Sequence, residues 1–323
     1  MNDGTWRPTA SRALLERRAL LLAGVRSFFA ARGVLEVDTP FLVNHPVSDV
    51  HIHSARVAFA GAPRHFLHTS PEYAMKRLIA SGSGDIFQLC HVVRGLERSR
   101  LHNTEFTLLE WYRLGFSLGD LMAEVAALVR ELSTQVAGAN VERVTYREAF
   151  LRELALDPIT ASLADLERAA GSLGFVRSSA VSPHTRDDLL DFLMAVRVGP
   201  KLGRESLTFI HGYPASQASL ARLDPDDARV AQRFELYRDG VELANGYQEL
   251  SASGEQRARF EADNLERRRR DLPVWPIDER LLAALASGLP DCAGVALGFD
   301  RLLMLAAGAR HIDEVVAFPT ERA

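Results

Sequence analysis

Three groups of polar residues could carry chemistry in this chain. The first is Arg94-Gly95-Leu96-Glu97, followed by Arg100 and His102-Asn103-Thr104-Glu105-Phe106, an arginine-dense loop between two strand-like runs. A planar guanidinium binds two oxygens at once, so such a loop suits polyphosphate; taken alone, a solvated hairpin tip reads the same way. The second is Glu235, Glu242 and Glu249, spaced by seven, beside Asn245-Gly246. These carboxylates could hold a hard divalent cation bridging phosphates or a substrate ammonium, or could be surface acids of an edge strand. On paired strands they share a face only if the turn resets the alternation. The third runs from Gly294 to Leu305, with Gly298 where a strand meets a helix. A glycine there lets a ligand approach the backbone, and Arg301 near the positive helix end could meet an anion or pair with a nearby acid.

The elements that must position these groups can be read from periodicity. Residues 11–32 place Leu14, Leu15, Leu21, Leu22, Val25, Phe28 and Phe29 at helical spacing, with Ser11 as N-cap and Gly33 as stop. Residues 34–42 read as a short strand ending at a proline, and 65–69 as another. Ser70-Pro71-Glu72 then opens a helix to about Ile79. Strand-like runs follow at 86–93, 106–112, 230–237 and 241–245, the last two joined as a hairpin at Arg238-Asp239-Gly240. Residues 119–200 read as a mainly helical insertion, and 294–307 as a strand turning into a helix. Hairpin-joined strands with helices between the groups predict an α+β fold around an antiparallel sheet, one domain over 1–323. A Rossmann sheet would need regular strand–helix alternation and a glycine-rich first turn, and both are missing.

Composition narrows the class. The chain has 323 residues, a formal net charge of −4, 47% hydrophobic and 25% charged residues, which excludes disorder and a disulfide scaffold. A charge so near zero gives no global case for nucleic-acid binding. Cys90 and Cys292 lie far apart, so a reducing, cytoplasmic setting is expected, with Cys90 a buried apolar residue. The apolar run at 19–25 is too short to span a bilayer, so no signal peptide or membrane anchor is expected. Lys76 and Lys201 are the only lysines among the 38 basic residues, which we read as compositional bias.

Thr39-Pro40, then Arg94 with the His102-to-Phe106 return strand, then Gly298-Phe299-Asp300-Arg301 resemble motifs 1, 2 and 3 of class II aminoacyl-tRNA synthetases. Ser70-Pro71-Glu72-Tyr73 with Lys76-Arg77-Leu78, residues 107–112, and the run from Glu242 to Leu250 resemble the lysyl-tRNA synthetase core, from about residue 11 to the C-terminus. The chain starts just ahead of motif 1, where that synthetase carries an anticodon-reading domain, and no such domain is expected here. This pattern is similar to the elongation factor P lysine ligases, as are Ser70, Ala296 and residues 213–220. Ser70 stands where the synthetase usually has Ala, and Ala296 where it has Gly. The resemblance implies ATP-dependent activation of (R)-β-lysine or lysine as an aminoacyl-adenylate, then transfer to a lysine side chain of elongation factor P. Charging of tRNA by the same core is the alternative, with tRNA the less expected partner, and a non-catalytic regulatory protein is a third reading. The intact Arg94, Glu242, Glu249 and Arg301 weigh against that third reading.

Residue roles follow from the same resemblance. Arg94 would grip the α-phosphate and the activated carboxylate, and Arg301 the γ-phosphate. Glu235 and Glu242 would bind Mg²⁺, and Phe106 would stack on adenine. Asn103, Leu243 and Gly298 would line the nucleotide site. Ser70, Pro71 and Ala296 would shape the amino-acid pocket, with Glu72 on the amino group near the carboxylate and Asn245 near that carboxylate. Glu110, Tyr112 and Glu249 would cage the distal ammonium, with Tyr247 along the stem. The family's motif 2 reads Arg-x-Glu, whereas Leu96 stands at the third position here; Glu97, one residue on, is expected to take over recognition of the adenine amino group. Motif 1 implies a homodimer in which residues 11–32 and Thr39-Pro40 face a partner copy, although the apolar stripe would equally serve as internal core.

Overall fold

The computed structural model describes residues 6–59, 64–95, 97–176 and 185–323. Ser11 caps the first helix, α1 (Arg12–Ala30), by accepting a hydrogen bond from Leu14 N, and Gly33, at φ +68°, ends the turn beyond it. Leu21, Val25, Phe28 and Phe29 of α1 are buried inside this chain, where Phe29 stacks on Phe87 at 4.5 Å. From Leu21 onward the apolar stripe is therefore core, while Leu15 stays exposed. The single strand read at 34–42 is two short ones, β1 (Leu35–Glu36) and β2 (Leu42–Val43), in different sheets. Pro40, which lacks an N–H, lies in the break between them.

The chain continues through β3 (Arg56–Val57), β4 (His65–Leu67), α2 (Glu72–Ala80), β5 (Ile86–Val93) and β6 (Glu105–Leu114). Next come α3 (Leu118–Leu132), β7 (Asn140–Thr145), α4 (Tyr146–Leu154), α5 (Leu163–Ser172), α6 (Arg186–Leu193) and β8 (Ser206–Pro214). The last part holds β9 (Val230–Arg238), β10 (Val241–Gln248), α7 (Ser253–Arg269), α8 (Glu279–Gly288), β11 (Cys292–Gly298) and α9 (Phe299–Ala307). Strands β7 and β8 and helices α7 and α8 were not read from the sequence. Among the described residues the strands form an eight-stranded sheet, ordered β1-β5-β6-β11-β10-β9-β8-β7, and a three-stranded sheet, β2-β4-β3. The six inner strands of the large sheet are antiparallel, and the edge strands β1 and β7 pair in parallel.

Period-two alternation gives the large sheet two unlike faces. Phe87, Leu109, Trp111, Val295, Leu297, Phe234 and Leu236 point into the main core with α1, α3 and α9. Glu110, Tyr112, Ala296, Asn245 and Tyr247 alternate with them on the opposite face. Helices α4, α5 and α6 build a second cluster with Ile210, Tyr213 and Tyr237, which walls one end of that opposite face. Between β9 and β10 the turn places Asp239 at φ +51° and Gly240 at φ +73°, the left-handed pair that a tight two-residue hairpin requires.

Gly246 sits where β10 passes over Phe234, and a Cβ there would lie 2.5 Å from the Phe234 ring. Gly246→Ala is expected to destabilise the protein by about 1–3 kcal/mol in denaturant unfolding. Gly254→Ala, on α7 with open space around it, is expected to be neutral or slightly stabilising.

Candidate active site

One irregularity in β10 assembles the site. The register slips between Glu242 and Ala244, so that Glu242 pairs with Tyr237 while Asn245 pairs with Glu235 and Tyr247 with Arg233. A bulge of this kind adds one residue and flips the alternation beyond it. Glu242, Asn245 and Tyr247 consequently share the face opposite the main core. This is the reset that the spacing of seven requires, and it comes from the strand rather than from the turn.

That face floors a cavity of about 790 Å³. Of the residues singled out in the sequence, Ser70, Glu72, Arg94, Glu97, Asn103 and Phe106 line it from the head of α2, the β5–β6 loop and the start of β6. Glu110, Tyr112, Glu242, Leu243, Asn245, Tyr247, Glu249, Ala296, Gly298 and Arg301 complete the lining from the sheet and α9. Pro71 and Glu235 do not reach it. Pro71 caps α2, and its carbonyl accepts from Ala74 N and Met75 N. Glu235 lies behind the lining, held by Arg233 at 2.6 Å and by the Tyr237 hydroxyl at 2.8 Å. Leu96 lies outside the described residues.

One end of the cavity is acidic. Glu110 is 2% exposed and accepts hydrogen bonds from Ser70 Oγ and Tyr112 OH, both at 2.7 Å. Ser70 Oγ in turn accepts from Glu72 N at the head of α2. Lys76, one helical turn after Glu72, bridges Glu72 Oε1 at 2.7 Å and Glu249 Oε2 at 2.6 Å. Burial raises the carboxyl pKa of Glu110, and the neighbouring Glu72 charge adds to it. Burial likewise raises that of Glu249, against the pull of Lys76. Gly294 makes the arrangement possible, since a Cβ there would lie 2.3 Å from the Tyr112 ring and 2.5 Å from Glu249 Oε1.

The other end is cationic. Arg94 lies over the Phe106 ring at 5.3 Å and donates to Thr69 O. Arg301, in the first turn of α9, donates to Glu242 O at 2.8 Å and to His102 Nε2. Burial and the Arg301 and Arg94 charges lower the His102 pKa to about 4, so its ring stays neutral and accepts from Arg301. Asp300, just before Arg301, is anchored by Arg18 of α1 at 2.5 Å and by Thr107 N at 2.7 Å. Asn103 turns its amide to the C-terminal segment, where Oδ1 accepts from Thr320 N and Oγ1. Arg233, to which the sequence reading gave no role, lines the middle of the cavity, donating to Asn245 Oδ1 and Glu235 Oε1 and lying over Tyr213.

For a divalent cation the candidates are Glu242 and Glu235. Burial and the Glu235 carboxylate raise the Glu242 pKa, the signature of two acids whose repulsion a cation would relieve. Among the described residues no cluster of three or more His, Cys, Asp or Glu side chains could hold a metal without oxygens from a ligand. Cys90, read from sequence as buried, is half-buried on β5, because its strand position faces away from the main core. Lys76 was quoted in the sequence only as part of a motif; its status as one of two lysines was the available signal.

A mixed sheet with an antiparallel centre, arginines at one end of its floor and acids at the other, defines the catalytic fold of class II synthetases. The family model for tRNA synthetases class II (D, K and N) matches residues 5–322. The chain is 48% identical, over the whole of both chains, to the elongation factor P–(R)-β-lysine ligase of Vibrio cholerae. It is 49% identical to the ligase of the same name from Salmonella typhi, over 99% of this chain and 98% of that one. It is 48% identical to that of Pectobacterium carotovorum, with the same coverage. The chain belongs to the class II synthetase family and, within it, to the branch of these ligases.

The raised carboxyls give a signed pH dependence. Protonation of Glu110, pushed up to about 8, and of Glu249, pushed up to about 7, removes the charge that attracts an ammonium, so lysine binding is expected to weaken as pH falls from above 8 to below 7. His102 is already neutral above about pH 5 and contributes no change there. Calorimetry of lysine binding across this range checks it, and affinity independent of pH would contradict it.

Proposed function

We propose that the protein activates (R)-β-lysine, or lysine, with ATP and ligates it to a lysine side chain of elongation factor P. The observation that carries this reading is the polarity of this cavity. Three carboxylates gather at one end for amines, and Arg94 and Arg301 stand at the other for phosphates. The full-length likeness to ligases bearing that name supports the acceptor.

In this reading the whole chain is one catalytic domain, and α4–α6 are the insertion that walls the cavity. The substrate carboxylate lies near Asn245, within reach of Arg94, and its oxygen attacks the α-phosphorus of ATP. Pyrophosphate leaves, steadied by Arg301, and a mixed carboxylic–phosphoric anhydride remains. The amine of the acceptor lysine then attacks the carbonyl carbon and AMP departs with the bridging oxygen. Glu72, Glu110 and Glu249 take the two ammonium groups, with Tyr112 and Tyr247 along the stem. Phe106 offers the stacking face for adenine, and Glu97 an acceptor for its amino group. Glu242, with Glu235 behind it, fits Mg²⁺, which when bound would neutralise phosphate charge. Positioning and charge neutralisation supply the catalysis, and no covalent nucleophile is needed.

A homodimer is part of the proposal. With the α1 stripe consumed by the core, its contact surface is the apolar residues left outside, Leu20 at 72% and Leu35 at 56% exposure. Leu20→Asp should shift the sedimentation of the protein toward a monomer. No described helix is long and apolar enough to cross a membrane; we place the enzyme in the cytoplasm, with its acceptor.

Purified protein supplied with ATP and labelled β-lysine should transfer label to elongation factor P and not to tRNA; label on tRNA alone would overturn the reading. Glu97→Gln should raise KM for ATP roughly tenfold, the worth of one hydrogen bond to a charged group, and leave KM for the amino acid unchanged. An unaltered KM for ATP would remove Glu97 from the adenine site.

A further inference from the structure

Lys76 has no part in the chemistry described so far, yet it is 1% exposed, inside the acidic end of the cavity. Its Nζ contacts Glu72 and Glu249, which come from the head of α2 and from the end of β10. Glu110 stands beside them with both oxygens satisfied by Ser70 and Tyr112. Glu249 Oε1, by contrast, has no hydrogen-bond partner among the described residues, although Glu249 is only 4% exposed. A buried carboxylate oxygen without a donor is costly, and this one borders the cavity. With all three acids ionised the pocket holds three carboxylates against one resident ammonium, and it is short of two positive charges.

We infer that Lys76 is a permanent cation of the amine pocket, which clamps Glu72 to Glu249 and sets the pocket's charge so that only a substrate with two ammonium groups neutralises it. This rests on the proposed diamino-acid substrate and adds to it the residue that imposes the charge count. The count is explicit: Glu72, Glu110 and Glu249 are balanced by Lys76 and the two ammonium groups of lysine or β-lysine. A substrate with one amine leaves a buried carboxylate unpaired, which disfavours its binding. Lys76 is a positioning residue, since it acts through the two glutamates. The other titratable groups that face it are Tyr73 of α2 and Cys292 of β11, with Tyr112 of β6 beyond the acids. All three are neutral at working pH, their pKa values raised by burial, and none substitutes for the missing cation.

A competing possibility is that Lys76 merely fills the space of a substrate ammonium and is expelled when substrate binds. Because the chain has only two lysines, selective ¹⁵Nζ labelling of the intact protein separates the two cases. We expect one ammonium signal protected from solvent, that of Lys76, which stays charged and protected when unlabelled β-lysine and a non-hydrolysable ATP analogue are added. Loss of protection or of charge on binding would overturn the inference.

Substitution gives the second arm. Lys76→Met should raise KM for the amino acid about a hundredfold, the scale for removing one partner of a buried pair, with KM for ATP little changed. The same variant should move the acidic limb of kcat/KM to higher pH, because Glu249 loses the neighbouring charge that opposes its rise in pKa. Lys76→Arg should restore part of the affinity, and ethylamine should rescue Lys76→Ala. An unmoved pH profile with a uniform loss of kcat would reduce Lys76 to a structural residue and refute the inference. Failure of the wild-type protein to activate any lysine isomer would instead refute the proposed function, and the ¹⁵N experiment still reports on Lys76 in that event.

Discussion

The structure depends on keeping carboxylates charged where water is scarce. Glu72, Glu110 and Glu249 meet at one end of a cavity floored by the sheet, where Glu72 and Glu249 raise the cost of ionising Glu110, and Glu72 that of ionising Glu249. Ser70, Tyr112 and Lys76 offset part of that cost by hydrogen bonds and two ion pairs. What remains uncompensated is an attraction for amines. The same logic with the sign reversed holds at the other end. There Arg94 and Arg301 flank a neutral His102; both donate to backbone carbonyls, and Arg301 also lies 3.7 Å from the Glu242 carboxylate.

An antiparallel sheet suits this division because its two faces can be unlike. One face is mainly apolar and packs on α1, α3 and α9, which makes the floor stiff. The other face can then carry polar groups in fixed order, with Glu110, Ala296 and Asn245 side by side across β6, β11 and β10. The bulge in β10 is what admits Glu242 to that row. Positions where a side chain would intrude are glycine, and Gly294 between Tyr112 and Glu249 is the tightest of them. Arg18 extends the scheme outward by anchoring Asp300 from α1, so the first helix of the chain helps to hold the turn that carries Arg301.

Much of the fold and of the site was legible in the sequence, and the remainder has physical reasons for hiding. Strand β5 and the β9–β10 hairpin stood out because their ends are marked by glycine-containing turns. Strand β8 escaped because it is buried on both faces, between the main core and the helices α4–α6, and shows no apolar–polar alternation. Residues 34–42 looked like one strand, since nothing local says that their two halves pair with different sheets. The arginine and glutamate motifs were recognisable by wording and order, but their convergence was not, because a bulge leaves no signature in residue types. Lys76 was the deepest concealment. In sequence it looks like an ordinary Glu–Lys pair on a solvated helix face, and its second partner, Glu249, lies far down the chain.

The central claim is that the cavity is built for two ammonium groups at once, and pyrophosphate exchange by the purified protein tests it most directly. Exchange should be strong with β-lysine or lysine and lost with 6-aminohexanoate and with norleucine, each of which lacks one of the two amines. Equal exchange with either single-amine analogue would show that the acids do not count charge, and would contradict the account.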